Sequence, residues 1–222
     1  MISGVKRFGS YVRTDFEERP DDGEEVAADC AVPAAYTALP LLARRRYNHD
    51  VDVFEFGLPA GRHRLALPAG AHLLVRVEEA GRQHVRPYSA VSLDEHEGSF
   101  SVLVKRYDEW GVPESAGKNL LLTRTDHSYR PPGRVSSHIH RLQVGDRLSF
   151  KFSAQCMGRL RLPCPGVRSL TMVCVGVGVV PMVGIIEAFA GTGRDWSTKI
   201  CLLYGAVSAS TLAFPFLSSL RF

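Results

Sequence analysis

The chain has 222 residues, 45% hydrophobic and 23% charged, with 20 glycines and 13 prolines. That mix excludes a disordered, collagen-like or coiled-coil chain and leaves room for one large domain or two small ones with a real core. Twenty-seven basic against 23 acidic side chains give a net charge of +4, too small and too interspersed to argue for nucleic acid, though compatible with an acidic protein partner. Cys30, Cys156, Cys164, Cys174 and Cys201 make an odd set without CxxC spacing. Neither a disulfide framework nor a structural zinc is expected, and a reducing compartment fits.

Residues 1–40 read as a poorly ordered extension. Lys6, Arg7 and Arg13 precede the first acid, Asp15, and Ile2, Val5, Phe8 and Val12 would share a helical face. This is the pattern of a small mitochondrial presequence, with a flexible tail as the alternative, so the expected compartment is mitochondrion or cytoplasm. The acidic, turn-rich segment Glu17 to Glu25 then runs into an Ala/Pro stretch ending at Pro40.

From 41 to 152 the texture is short strands separated by turn signals. Val51 to Phe56 alternates and is stopped by Gly57, Pro59 and Gly61; His72 to Val77, Val85 to Val91, Phe100 to Tyr107 and Leu148 to Phe152 follow. Strands this short and closely spaced predict an antiparallel sandwich or barrel. One helix interrupts them, with Ser136 and Ser137 as its caps and Ile139 and Leu142 on its apolar side. His138 and His140, two apart, fall on different helix faces and predict no metal site. His63, His84 and His96 read as solvated.

After a linker over 153–168 the style changes. Leu170 to Ala190 is the longest apolar stretch, yet it contains three glycines, Pro181 and Glu187. It predicts a strand buried on both faces, Leu170 to Val175, running through Gly176-Val177-Gly178 into a helix with Pro181 in its first turn, not a membrane span. Ile185, Ile186 and Phe189 would carry the helix's apolar face, and Lys199 to Tyr204 is a second buried strand. Residues 169–222 therefore predict one strand–helix–strand unit of a parallel sheet.

Four blocks carry chemistry. The first is Arg86-Pro87-Tyr88-Ser89, preceded by Gly70-Ala71-His72. A guanidinium holds a phosphate through two parallel hydrogen bonds, and Tyr88, two residues on, faces the same side with a ring that can lie against a flat ligand. The second is the strand Val102-Leu103-Val104-Lys105-Arg106-Tyr107. The third, Gly133-Arg134-Val135-Ser136, opens a helix whose free N–H groups suit a pyrophosphate, and Gly145-Asp146 follows. The fourth is Gly176-Val177-Gly178-Val179-Val180-Pro181-Met182.

Taken in order, these blocks resemble the ferredoxin-reductase-type flavoproteins, most closely the NADH-cytochrome-b5 reductases, from about Leu41 onward. The resemblance implies a Greek-key antiparallel β barrel binding FAD over 41–152 and an incomplete α/β nucleotide-binding domain for NAD(P)H over 169–222. It puts Arg86 on the flavin diphosphate and Tyr88 against the isoalloxazine, with Pro87 beside them. Ser89 falls near the reactive edge, and Leu103, Lys105 and Tyr107 shape the flavin and nicotinamide sites; Ser89 and Lys105 are the implied catalytic pair. At the Gly133 turn the backbone of Arg134 and Val135, with the Ser136 hydroxyl, would bind the pyrophosphate, and Gly176, Gly178, Val180 and Pro181 would shape the nicotinamide loop. The implied activity is hydride transfer from NAD(P)H to FAD, with electrons passed on to a haem protein such as cytochrome b5, and the flavin doing the chemistry.

Three features depart from the family pattern. Val177 and Val180 stand where hydroxyl residues are usual, and losing one hydrogen bond there costs roughly 1 kcal/mol. Phe152-Ser153-Ala154-Gln155 replaces a GPxG-like turn. Only one strand–helix–strand unit follows the barrel, so an apolar sheet edge is expected to be covered by the barrel or by another protein, or the sequence is a fragment of a longer reductase. These departures support an alternative expectation, a non-catalytic flavin-binding or partner-docking relative.

Overall fold

The computed structural model describes residues 29–91, 97–107, 132–152, 167–191 and 198–205. Most of the expected linker, residues 1–28 and the segment after 205 lie outside them. The strands are β1 (Thr37–Arg46), β2 (Val51–Gly57), β3 (Leu73–Glu79), β4 (Arg82–Tyr88), β5 (Ser99–Lys105) and, after helix α1 (Arg134–Arg141), β6 (Arg147–Lys151). They form one antiparallel sheet in the order β4-β3-β6-β1-β2-β5. β6 comes last in the chain yet lies between β1 and β3, which is Greek-key connectivity. The two edges meet where Ala90 bridges Val102 and the Val91 N–H donates to the Ser101 carbonyl at 2.8 Å. The expected antiparallel barrel is thereby formed.

Strand alternation explains its core. Phe54 and Phe56 on β2, Phe100 on β5 and Phe150 on β6 are fully buried. Phe150 meets Phe56 and Phe100 edge-on, with ring centroids 4.8 and 5.2 Å apart, contacts worth about 0.5–1.5 kcal/mol each beyond area burial. Val135, Ile139 and Leu142 carry the apolar side of α1 into the same core. The β3–β4 hairpin turns on Ala80 and Gly81, both at positive φ (51° and 71°), as a two-residue primed turn requires.

Two expectations need correction here. β1 starts at Thr37, and Cys30, Ala31 and Val32 are buried in the barrel core, so residues 30–40 belong to the barrel and not to the extension over 1–40. Their small and proline-rich composition hides this, because the partners that bury them, including Leu65 and the β6 ladder, are distant in sequence. Ser136 and Ser137 do not cap α1. Gly133 occupies the N-cap in an extended conformation (φ −66°, ψ 114°) without a side-chain cap bond, which places the serines inside the first turn.

The second unit is β7 (Ser169–Val175), a short 3-10 turn (Gly176–Gly178), α2 (Val179–Gly191) and β8 (Lys199–Gly205), with β7 and β8 parallel. The expected order of elements is present, but burial on both strand faces is not. Met172 and Cys174 face α2, while Val173, Val175 and Leu203 are 68, 69 and 55% exposed. α2 covers one face, and no second described layer covers the other. Apolar content alone does not reveal how many layers a sheet has. Among the described residues no helix is long and apolar enough to cross a membrane.

The two units meet along one apolar seam. Val51, Val53 and Leu103, on the outer face of β2 and β5, pack with Val180, flanked by Val177, Val91 and Tyr47. This docking is why β2 and β5 are buried on both faces. Gly70 lies against α2 as well; a Cβ there would stand 3.2 Å from the Ile185 side chain.

Candidate functional site

β4 supplies one wall. His84, Arg86 and Tyr88 pair with Val77, Val75 and Leu73 and, by alternation, share a face. Arg86 is half-buried and donates through Nη1 to the Val85 carbonyl at 2.7 Å. Tyr88 packs its ring against the barrel core. Burial raises its phenol well above the ordinary tyrosine range; Tyr107 pushes the same way and Arg86 opposes them. Pro87 is exposed on the strand, and Ser89 follows it half-buried. His72 is half-buried, and burial lowers its imidazole below the ordinary histidine range.

The opposite wall is the start of α1. The Gly133 N–H donates to the Tyr107 carbonyl at 3.0 Å, and the Ser136 hydroxyl donates back to the Gly133 carbonyl at 3.1 Å. At Gly133 a Cβ would displace the Ser136 hydroxyl and stand 3.2 Å from Tyr107 Cβ. The N–H groups of Arg134, Val135 and Ser136 open the helix, where no intrahelical carbonyl can receive them. Arg134 reaches back to β4, its Nη1 3.2 Å from His84 Nε2. His84, read as solvated from the sequence, thus joins the two walls. Its period-two spacing from Arg86 was the signal available.

The second block divides. Lys105 forms an ion pair with Asp50 at 3.0 Å, in the turn before β2, while Leu103 is buried in the seam against Val180. Tyr107 is 46% exposed at the end of the strand. In the fourth block Gly176 adopts positive φ (56°), and the turn leads directly into α2, where Pro181 lies in the first turn. At Gly178 a Cβ would make ordinary contact, 3.8 Å from Cys174 Cβ. The structure brings Tyr107 to Gly133, and Arg134 to His84, which shares a strand face with Arg86 and Tyr88. It sets Lys105, Leu103 and Val180 on the outer face of the barrel, where the second unit docks.

These groups suit a dinucleotide's pyrophosphate. Arg134 and a first helical turn of N–H donors face β4, where His84 meets Arg134 and Arg86 lies two residues on along the same strand face. An aromatic ring lies beside them on the same strand face. The Greek-key barrel is of the flavin-binding class, as the sequence match shows. Residues 38–156, more than half of the chain, match the family described as oxidoreductase FAD-binding domain. The chain belongs to that family, within the ferredoxin-reductase-type flavoproteins.

Among its relatives are NADH-cytochrome b5 reductase 1 of Scheffersomyces stipitis and its namesake from Arabidopsis thaliana. Each is 28% identical over 180 residues, covering 81% of this chain and 54% of the relative. The chain thus spans about half the length of these relatives. In fold it is similar to the cytochrome b5 reductase domain of Ulva prolifera nitrate reductase (TM-score 0.65, 24% identity, 86% of this chain and 70% of that one). It is also similar to a ferredoxin NADP+ reductase from Neisseria gonorrhoeae (TM-score 0.56, 18% identity, 81% and 61%).

Proposed function

We propose that this chain is the FAD-binding part, with the start of the nicotinamide-binding part, of an NADH-cytochrome-b5-reductase-like oxidoreductase. When bound, FAD would take a hydride from NAD(P)H and release electrons to a haem protein such as cytochrome b5. The observation that supports this reading is that α1 starts against β4, with Arg134 at His84 and with Arg86 and Tyr88 on the same strand face as His84. Arg86 and Arg134 would neutralise the pyrophosphate while the first turn of α1 donates to it. Tyr88 would hold the isoalloxazine by its ring, kept protonated and packed, and Ser89 would sit by its polar edge. Lys105, oriented by Asp50 next to the seam, would face the nicotinamide nucleotide. Gly176, Gly178, Val180 and Pro181 would shape the loop that receives it.

The purified protein should be yellow or should take up added FAD, and anaerobic mixing with NADH should bleach the flavin. A colourless protein that binds no FAD would end the reading. Arg86→Ala should weaken FAD binding by about 1.5–3 kcal/mol through loss of a charge-assisted contact. Unchanged affinity would make this arginine a surface residue only.

A second reading is favoured by the exposed apolar face of β7 and β8 and by the packing of Val177 and Val180. Here the chain binds flavin without turning over nicotinamide and docks a protein on that face. It predicts FAD binding without NADH-dependent bleaching and a native mass well above 24.4 kDa. A monomer that oxidises NADH would contradict it.

A further inference from the structure

The start of α1 forms one wall of the site, where the Gly133 N–H bonds the Tyr107 carbonyl, Arg134 meets His84 and Val135 enters the core. The helix has only eight residues and lacks a side-chain cap bond, and a helix so short does not persist without tertiary anchors. A second polar anchor lies at the other end. Arg44 on β1 donates through Nη1 to the His140 carbonyl at 2.8 Å. The same guanidinium donates through Nε and Nη2 to Asp52 Oδ2 on β2, at 2.8 and 2.6 Å. The His140 ring completes the group, with Nδ1 3.5 Å from Asp52 Oδ2 and 3.4 Å from Arg44 Nη2. Phe54 lies beneath it, edge-on to the imidazole at 5.2 Å and under the guanidinium at 5.2 Å.

None of these residues belongs to the four motif blocks. A single arginine fork ties two strands to the last turn of α1, where a cation also complements the helix dipole. Asp52 is buried, 8% exposed, so loss of Arg44 leaves an unpaired buried charge, which is strongly unfavourable.

We propose that Arg44, Asp52 and His140 are positioning residues for the flavin pyrophosphate. They fix the axis of α1, and so the placement of the Gly133–Ser136 turn, from about 9 Å away along the helix. The proposal rests on the pyrophosphate lying at that turn. Its consequence is that FAD affinity depends on residues that never touch the nucleotide.

The test uses the full chain stripped of flavin, with FAD as the probe, followed by quenching of flavin fluorescence. Arg44→Lys keeps the charge but not a fork that spans both acceptors, and Asp52→Asn keeps the shape but not the charge. Each should weaken FAD about tenfold in folded protein and speed hydrogen exchange of the α1 amides, and the double variant should lose less than the two losses combined. FAD affinity within about twofold of the unaltered protein, with only the melting temperature lowered, would overturn the proposal and leave a purely structural ion pair. Gly133→Ala separates the two levels. If it weakens FAD while the clamp variants do not, positioning fails alone. If it leaves affinity unchanged, the pyrophosphate is not at this turn, and both fall.

Discussion

Phe54, Phe56, Phe100 and Phe150 are fully buried in the barrel, whereas Val173, Val175 and Leu203 of the parallel pair are more than half exposed. Both regions have apolar strands in sequence, and they differ in what lies opposite. A sheet that curls until its edges meet supplies its own facing layer. Two parallel strands with one helix have a partner on one side only. The barrel is therefore the region that sets stability, and the second unit depends on the seam of Val51, Val53, Leu103 and Val180 that joins it to the barrel.

The sharpest way to break this comparison is Phe150→Ala, which should cost about 3–5 kcal/mol in urea unfolding. A loss below about 1 kcal/mol would mean that the four rings do not form the core. A smaller effect should come from acid, and it too should belong to the barrel. Burial is the first cause holding His72, His138 and His140 below their ordinary value of 6.5. For His138 the Arg141 charge adds to this and Glu79 opposes it, and for His140 the Asp52 carboxylate opposes it. A depressed histidine binds its proton more readily in the unfolded chain. Its stabilisation is full above 6.5 and shrinks as pH falls from there toward the folded-state values. Melting temperatures recorded between pH 8 and pH 5 should fall on the acid side, and a flat profile would contradict the burial of these rings.

Smaller still, Ala80→Asn in the β3–β4 turn should raise stability by about 0.5 kcal/mol, since Asn tolerates the positive φ that Ala80 occupies at 51°. The smallest change is expected on the open face. Val173→Thr should alter unfolding free energy by no more than about 0.5 kcal/mol. A larger loss in the isolated chain would show that this face is covered in solution, and would narrow the contrast between the two regions.

Much of the fold was legible in the sequence because its signals are local. Alternation around Phe54-Glu55-Phe56 and Phe100 to Lys105 marks strands, and Gly176, Pro181 and Gly191 bracket the turn and helix. The order of the four blocks carried the resemblance to the ferredoxin-reductase-type flavoproteins, the family the sequence match shows. Other features depend on partners far along the chain. The register shift between Leu41 and Ala43 leaves Leu42 exposed, and Cys30 to Val32 find their cover across the barrel. The valines at 177 and 180, departures from a hydroxyl pattern when read alone, lie in an apolar seam once β2 and β5 are placed beneath them.

The residue sequence by itself determined the strand and helix periods, the glycine at 133 and the arginine at 86 suited to a phosphate. Only the tertiary structure decided that His84 touches Arg134 and that Arg44 spans Asp52 and the end of α1. It also decided which face of β7 and β8 stays open. A side chain's type and spacing fix what it can bond and which way it points along its own element. What it meets there depends on how separate elements pack, and no local pattern carries that information.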